Sequence, residues 1–480
     1  MTERIQRDNY PQIIPITLIL CALLTALAFL LSTPASALME LTYIIFTPDT
    51  LITDYMALAG PGGAFLNAAL VTLAALGVLV LSHAPMNGSA CGALGLVAGF
   101  SLFGKDIANI WPILLGGFLY SKFQGESFGK YASMSLMSTT LAPVVSALWF
   151  NGGGAVSFLG GCLVGVAIGF FLPILATYTF RVQKGMNFYN VGFSCGLIAL
   201  MLVPILAMLG LAPDTVLFWS TGHNRSLGIF LFCLCFSFAV WGLVCCGRSV
   251  KEALGDYWAL LHESGRAPCD LLKRCGAAAV CINVGVTGAI ATGYILLIGG
   301  DLNGPTLAGI FTIMGFAAWG KHPGNMLPVM AGAVLAGLAL PGFSLTDPAV
   351  QFSVLFCTTL APIAGSYGWV CGILAGFLHI CLVQRTGAPV CGLNLYNNGF
   401  TGGLIATVLY GVLTPLGLLR HPEERDKVSL PTPEPSAPPE PSAKPETSAE
   451  PEPLAEPETS PELEPPAEPE ALPPDGGGQE

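Results

Sequence analysis

The chain repeats itself. Gly185-Met-Asn-Phe-Tyr-Asn-Val-Gly-Phe-Ser-Cys-Gly-Leu-Ile-Ala199 and Gly392-Leu-Asn-Leu-Tyr-Asn-Asn-Gly-Phe-Thr-Gly-Gly-Leu-Ile-Ala406 agree at ten of fifteen positions without a gap. The agreement reaches beyond this signature. At an offset of 216, Asp54 meets Asp270, Asn67 meets Asn283, Asn87-Gly88 meets Asn303-Gly304, Gly104-Lys105 meets Gly320-Lys321 and Asn109 meets Asn325. Thr139-Thr-Leu-Ala-Pro143 meets Thr358-Thr-Leu-Ala-Pro362 at 219. Chance likeness between apolar segments does not hold Asn, Lys and Pro in register. The chain therefore divides into a first repeat, 1–212, a second, 213–420, and a remainder, 421–480.

Composition places those repeats in a bilayer. Hydrophobic residues make up 53% of the chain and charged residues 10%, against about 25% charged in soluble domains. Up to seven apolar segments fall in each half. Those at 88–104, 107–121 and 368–383 are shorter than the ~20 residues a spanning helix needs. The expected fold is all-α and integral to the membrane: two inverted repeats of about seven hydrophobic segments each, some half-membrane or re-entrant. If all fourteen cross and the N-terminus is cytoplasmic, sixteen Lys and Arg fall on the inside and three outside, namely Lys105, Arg225 and Arg385. That bias follows the positive-inside rule, and puts both termini in the cytoplasm of a multi-pass cell-membrane protein. The loop 34–61 lacks Lys and Arg whereas its counterpart 248–275 has five, which also argues for inversion. The run Ile13–Leu31 reads as an uncleaved first helix, although Ala35-Ser36-Ala37 resembles a signal-peptidase site.

The remainder is different in kind. Residues 421–480 carry a net charge of −13 against +2 for residues 1–420, and Pro-Glu-Pro motifs recur in them. Such a segment reads as a disordered, self-repelling cytoplasmic tail. The fifteen cysteines include no CxxC pair and sit mostly in apolar runs, so packing is expected and no metal. No P-loop or dinucleotide fingerprint is present, and no cofactor is expected.

The candidate site centres on the signatures: Asn187, Tyr189 and Asn190 with Asn394, Tyr396, Asn397 and Asn398. Amides and phenols can replace the hydration shell of a passing solute; they can equally cap helices and tie the halves together. Asn87 and Asn303 open the short glycine-rich segments, as N-caps or as broken-helix ends aimed at a solute. Thr139, Thr140, Thr358 and Thr359 precede prolines, where hydroxyls satisfy freed carbonyls or line a pore. Phe100 and Phe316 either narrow a pathway or pack. Lys105-Asp106 and Lys321-His322 read as interfacial anchors. The stripe Gly161/Gly165/Gly169 and its counterpart Gly372/Gly376 suggest close helix packing, and with it a homo-oligomer.

At the signature the sequence resembles the urea channel/transporter family, through Gly392-Leu-Asn-Leu-Tyr-Asn-Asn-Gly399 and its copy. The resemblance implies inverted repeats around a pore, with Tyr189/Asn190 and Tyr396/Asn397 on tilted half-helices. As a whole, the sequence resembles a multi-pass bacterial membrane family labelled only as a domain of unknown function. Acids are scarce inside the segments. Proton-coupled carriers place an ionisable group there, so a channel or transporter for a small, neutral, polar solute is expected, with lipid and solute as partners and no nucleic acid. Glu40, Asp49 and Asp54 would reopen proton coupling if their segment folded into the core. A membrane-embedded enzyme and a scaffolding protein are the rival classes; no catalytic set is found, so no enzyme is expected.

Overall fold

The computed structural model describes residues 10–49, 52–213 and 215–420. The tail, and with it the expectation of disorder there, lies outside the described residues. The first half runs α1 (Ile13–Leu31), α2 (Pro34–Ile45), α3 (Tyr55–Leu58), α4 (Pro61–Leu81), α5 (Gly88–Phe100), α6 (Trp111–Phe123), α7 (Ala132–Ser138), α8 (Ala142–Phe150), α9 (Ala155–Gln183) and α10 (Asn190–Met208). The second runs α11 (Asn224–Val244), α12 (Val250–Leu260), α13 (Leu271–Leu297), α14 (Gly304–Phe316), α15 (Pro323–Ala339), α16 (Pro348–Phe356), α17 (Ala361–Tyr367), α18 (Trp369–Thr386) and α19 (Asn397–Leu413). The fold is all-α. Among the described residues nine helical segments are long and apolar enough to cross a membrane, counting α7–α8 and α16–α17 as one each.

Burial sorts these spans. Helices α1, α9 and α11 are mostly exposed along their apolar windows, and Leu30, Leu163 and Phe236 face outward. Apolar faces of this extent belong against lipid. The α7–α8 and α16–α17 spans are the most buried, at 78% and 89% of their windows.

One difference from the sequence reading is physical. The loops 34–61 and 248–275 contain helices. Thr33 caps α2, accepting the Ser36 N–H at 3.2 Å ahead of Pro34, and Ser249 with Glu252 forms a capping box on α12. Both packed helices lie against α4 and α13, respectively. The glycine stripes, for their part, are used inside the chain. A β-carbon on Gly165 would stand 2.7 Å from Pro112 of α6, and those on Gly169 and Gly376 would strike the carbonyls of Ile113 and Val329. They serve the close helix packing that the sequence suggested.

Equivalent elements of the halves pair with one another. Helices α5 and α14 cross through glycines: Gly88 lies against Ala318, Gly95 against Phe311 and Gly315, and Gly99 against Ala308. The contacts descend one helix as they ascend the other, so the two run antiparallel. Helices α10 and α19 meet through glycines as well, Gly192 against Tyr396 and Gly399, Gly196 against Phe400, and Phe193 stacked on Phe400 at 5.8 Å, and here the contacts ascend both helices together.

Candidate functional site

Each of the two most buried spans breaks in its middle. A 3₁₀ turn occupies Thr139–Leu141 and another Cys357–Leu360, each followed by a helix with proline in its first turn. Proline cannot donate to the preceding turn, so the α-helical ladder stops there. The carbonyls at the break are met from the opposite half. Phe188 N–H donates to Thr359 O at 3.0 Å, and Leu395 N–H to Thr140 O at 3.2 Å. The threonine hydroxyls accept in turn: Tyr189 N–H reaches Thr359 Oγ1 at 3.0 Å and Tyr396 N–H reaches Thr140 Oγ1 at 2.9 Å. Each signature is thus the plug for the break of the other half. The satisfied carbonyls take main-chain donors, where the sequence suggested threonine hydroxyls; Thr139 and Thr358 hydroxyls instead donate to Leu136 O and Leu355 O, both at 2.7 Å.

A lysine stands behind each plug. Lys105 Nζ donates to Tyr396 Oη at 2.6 Å, and Lys321 Nζ donates to Tyr189 Oη and, at 2.9 Å, to Thr358 Oγ1. Both lysines are 0% exposed, so neither is an interfacial anchor. The reason is helix length: α5 and α14 have thirteen residues each, about 20 Å of rise, too little to carry the next residues across a ~30 Å core. Neither ammonium has a carboxylate within 4.0 Å among the described residues. Aromatic faces take that place: Lys105 lies 4.7 Å from the Tyr396 ring centre and 5.5 Å from Phe100, and Lys321 lies 4.3 Å from Tyr189 and 5.3 Å from Phe316. Such cation–π contacts contribute on the order of 2 kcal/mol when desolvated. Phe356 touches Phe100 at 5.3 Å and Tyr189 at 6.0 Å, so one ring separates the two pairs. Asn67 and Asn283 hold the loops, donating to the main-chain oxygens of Lys105 at 2.8 Å and Lys321 at 2.7 Å.

The remaining expected residues divide. Asn187 and Asn394 fold the plugs: each Oδ1 accepts the N–H two residues on, at 3.1 and 3.2 Å, and meets Thr359 or Thr140. Asn190 and Asn397 turn away, Asn190 to Ala176 O at 2.8 Å and Asn397 to Thr386. Asn398 is buried, its main-chain oxygen against His379 at 3.2 Å. Asn87 and Asn303 are the N-caps of α5 and α14, each at the opposite end of its own helix from the lysine that follows it. Phe100 and Phe316 pack on Tyr396 at 4.5 Å and Tyr189 at 4.9 Å. A cavity lined by Met134, Phe188, Trp319 and Val191 reaches Asn187 and Asn190.

Residues 33–208 and 249–415 match the family model described as "Protein of unknown function (DUF1576)". The chain belongs to this family. The two matched blocks fall one in each half and cover well over half of the chain. No curated protein and no solved structure matches it, and no comparison bears out the likeness to urea transporters.

In this DUF1576 protein the segment before α3 folds into the core, which overturns the reading of the interior as poor in acids. Asp49 and Asp54 are 0% exposed and Asp106 is 1%. Asp54 reaches across the halves, accepting Ser220 N–H at 2.9 Å and the Gly304 N–H that opens α14. Its counterpart Asp270 accepts Gly88 N–H, which opens α5, at 3.3 Å. Burial pushes the Asp270 carboxyl above its usual range despite these donors. An acid at a helix N-terminus complements the dipole there, and here each half caps the other.

Proposed function

We propose that this membrane protein is a transporter or channel for a small polar solute, with its pathway between the two halves at the paired Lys–Tyr contacts. One observation carries the reading: the two most buried spans are broken at equivalent places, and each break receives a polar turn and a lysine-bound phenol. Broken helices at the meeting point of two repeats are the usual form of a membrane solute site. Irregular backbone is tolerated at depth where protein covers it or where it lines a path. The sequence favoured a neutral solute because ionisable groups looked absent from the interior. With Lys105 and Lys321 in the core and no carboxylate beside them among the described residues, a solute bearing an anionic or acceptor-rich group fits better, its oxygens replacing the phenols on the ammonium groups. The antiparallel crossing of α5 and α14 supports inverted repeats, and the lysine and arginine bias supports cytoplasmic termini in the cell membrane. The aromatic ring cluster around both pairs fits an occluded state that opens by separating the plugs from the breaks.

Proteoliposome uptake over a panel of urea, glycerol, short carboxylates and inorganic anions tests this. Wild type is expected to move at least one of them, and Lys105→Met and Lys321→Met to lower that flux at least about tenfold. Equal flux in all three proteins for every solute rejects the site.

A further inference from the structure

Asp49 and Asp106 meet in the first half at a place where the second half has no acid. Asp49 follows α2, and Asp106 follows Lys105 between α5 and α6. Asn109 holds both: its Nδ2 donates to Asp49 Oδ2 at 2.9 Å, and its N–H donates to Asp106 Oδ1 at 3.0 Å. Tyr55 Oη donates to Asp49 Oδ1 at 2.7 Å, and Ser146 Oγ donates to Asp49 Oδ2 at 3.0 Å. Asp106 Oδ1 also accepts Ala108 N–H at 2.6 Å, while among the described residues no donor reaches the buried Asp106 Oδ2.

Two carboxylates bridged by one asparagine in a water-excluded core cannot both stay ionised cheaply. Their surroundings differ. Three donors suit Asp49 to carry the charge, and the bare Oδ2 of Asp106 suits it to carry a proton. The second half supplies the control. Asp49, Asp106, Tyr55 and Asn109 correspond at 216 to Gly265, His322, Leu271 and Asn325, and Ser146 corresponds at 219 to Gly365. The turn survives without the acids: Asp106 N–H donates to Asn109 Oδ1 at 3.1 Å, and His322 N–H to Asn325 Oδ1 at 3.0 Å. The carboxylates, phenol and hydroxyl are therefore additions that the scaffold does not need.

We propose that Asp49 and Asp106 form a proton-binding site, one exchangeable proton resting on Asp106 Oδ2 beside ionised Asp49, through which permeation is coupled to a proton gradient. The coupling rests on the transport reading above; the proton binding does not. On release the Asp106 O–H bond breaks, its electron pair stays on Oδ2, and the proton passes to water at the membrane surface. The change is felt one residue away, because Asn67 accepts Ile107 N–H at 3.1 Å through the same amide that holds the Lys105 carbonyl. Among the described residues Tyr55 is the titratable side chain facing the pair from α3. Asp54 turns to Ser220 and Gly304, and Lys105 to Tyr396.

Infrared difference spectra of the full chain in liposomes, titrated with pH, test the site. Wild type is expected to show one buried carboxylic-acid band that titrates, and Asp106→Asn to lack it. Asp49→Asn removes the neighbouring charge and is expected to weaken proton binding about tenfold or more, a midpoint at least one unit lower. His322→Asn, at the mirrored position, is expected to leave the band intact. A band that survives Asp106→Asn, a midpoint indifferent to Asp49→Asn, or a band displaced by sodium at constant pH overturns the proposal. An inward proton gradient is expected to accelerate uptake in wild type and not in Asp106→Asn; acceleration in both overturns the coupling. If no solute moves in any protein, the transport reading fails, and the spectra still decide the proton site.

Discussion

Lys105 and Tyr396 come from opposite ends of the chain and depend on one another. A buried ammonium deprived of its acceptor loses a charge-assisted hydrogen bond, a cost of about 1.5–3 kcal/mol. Tyr396→Phe is therefore expected to lower the stability of the purified protein by that order, measured by thermal unfolding in detergent. Tyr178→Phe, at a residue 64% exposed, is expected to change nothing. The double variant Lys105→Met/Tyr396→Phe removes both partners and is expected to recover at least about 0.5 kcal/mol of the sum of the single losses. Additive losses would mean that the 2.6 Å contact contributes nothing of its own. The sequence displayed half of this arrangement. Tyr189 and Tyr396 stood out because both copies of the signature keep them. The lysines did not, because a Lys after an apolar segment is also what an interfacial anchor looks like. Counting rise per residue over the thirteen-residue segments that precede them would have placed them at depth.

At the scale of the helix, glycine decides which pairs can meet. A β-carbon at Gly95 of α5 would lie 2.6 Å from the Phe311 carbonyl oxygen of α14, so the crossing depends on its absence. Gly293, half-buried in α13, has nothing within 4 Å of such an atom. Gly95→Ala is expected to cost about 1–3 kcal/mol through overpacking. Gly293→Ala is expected to be neutral or to gain up to about 1 kcal/mol from helix propensity. Unfolding in detergent reads both; equal effects would mean that the antiparallel crossing carries no packing constraint. The crossing itself was not legible. Asn87 and Asn303 were correctly placed at helix starts, since asparagine before a glycine-rich run is a capping pattern. Which helix lay against which depended on tertiary approach, and spacing within a single segment says nothing about that. The helices α2 and α12 were missed for a different reason: each is shorter than a span and was absorbed into a loop.

For the whole molecule, the duplication was the most readable feature and the acid content the most misleading. Register matches at Asn, Lys, Pro and Asp pointed to two related halves, and two equivalent helix pairs, α5 with α14 and α10 with α19, do meet. Acids counted along apolar runs looked scarce because Asp49, Asp54 and Asp106 lie in connections, and connections can be as deeply buried as helices when the chain folds back. The orientation of the halves in the bilayer is the consequence that matters most for transport, since a pathway needs its two gates on opposite sides. Gln124 follows α6 and Thr346 follows α15; they occupy matching connections, and both are exposed. In a chain with Cys233 and Cys245 replaced by Ser, Gln124→Cys and Thr346→Cys can be challenged with a membrane-impermeant thiol reagent in intact cells and in inverted vesicles. If the repeats are inverted, Thr346→Cys reacts from outside and Gln124→Cys reacts only in inverted vesicles, where Lys122 and Lys130 flank it on the side that the basic bias assigns to the cytoplasm. Labelling of both from one side would make the halves parallel. The two plugs would then share one face of the membrane, and the reciprocal Lys–Tyr pairs could no longer act as two gates of one path.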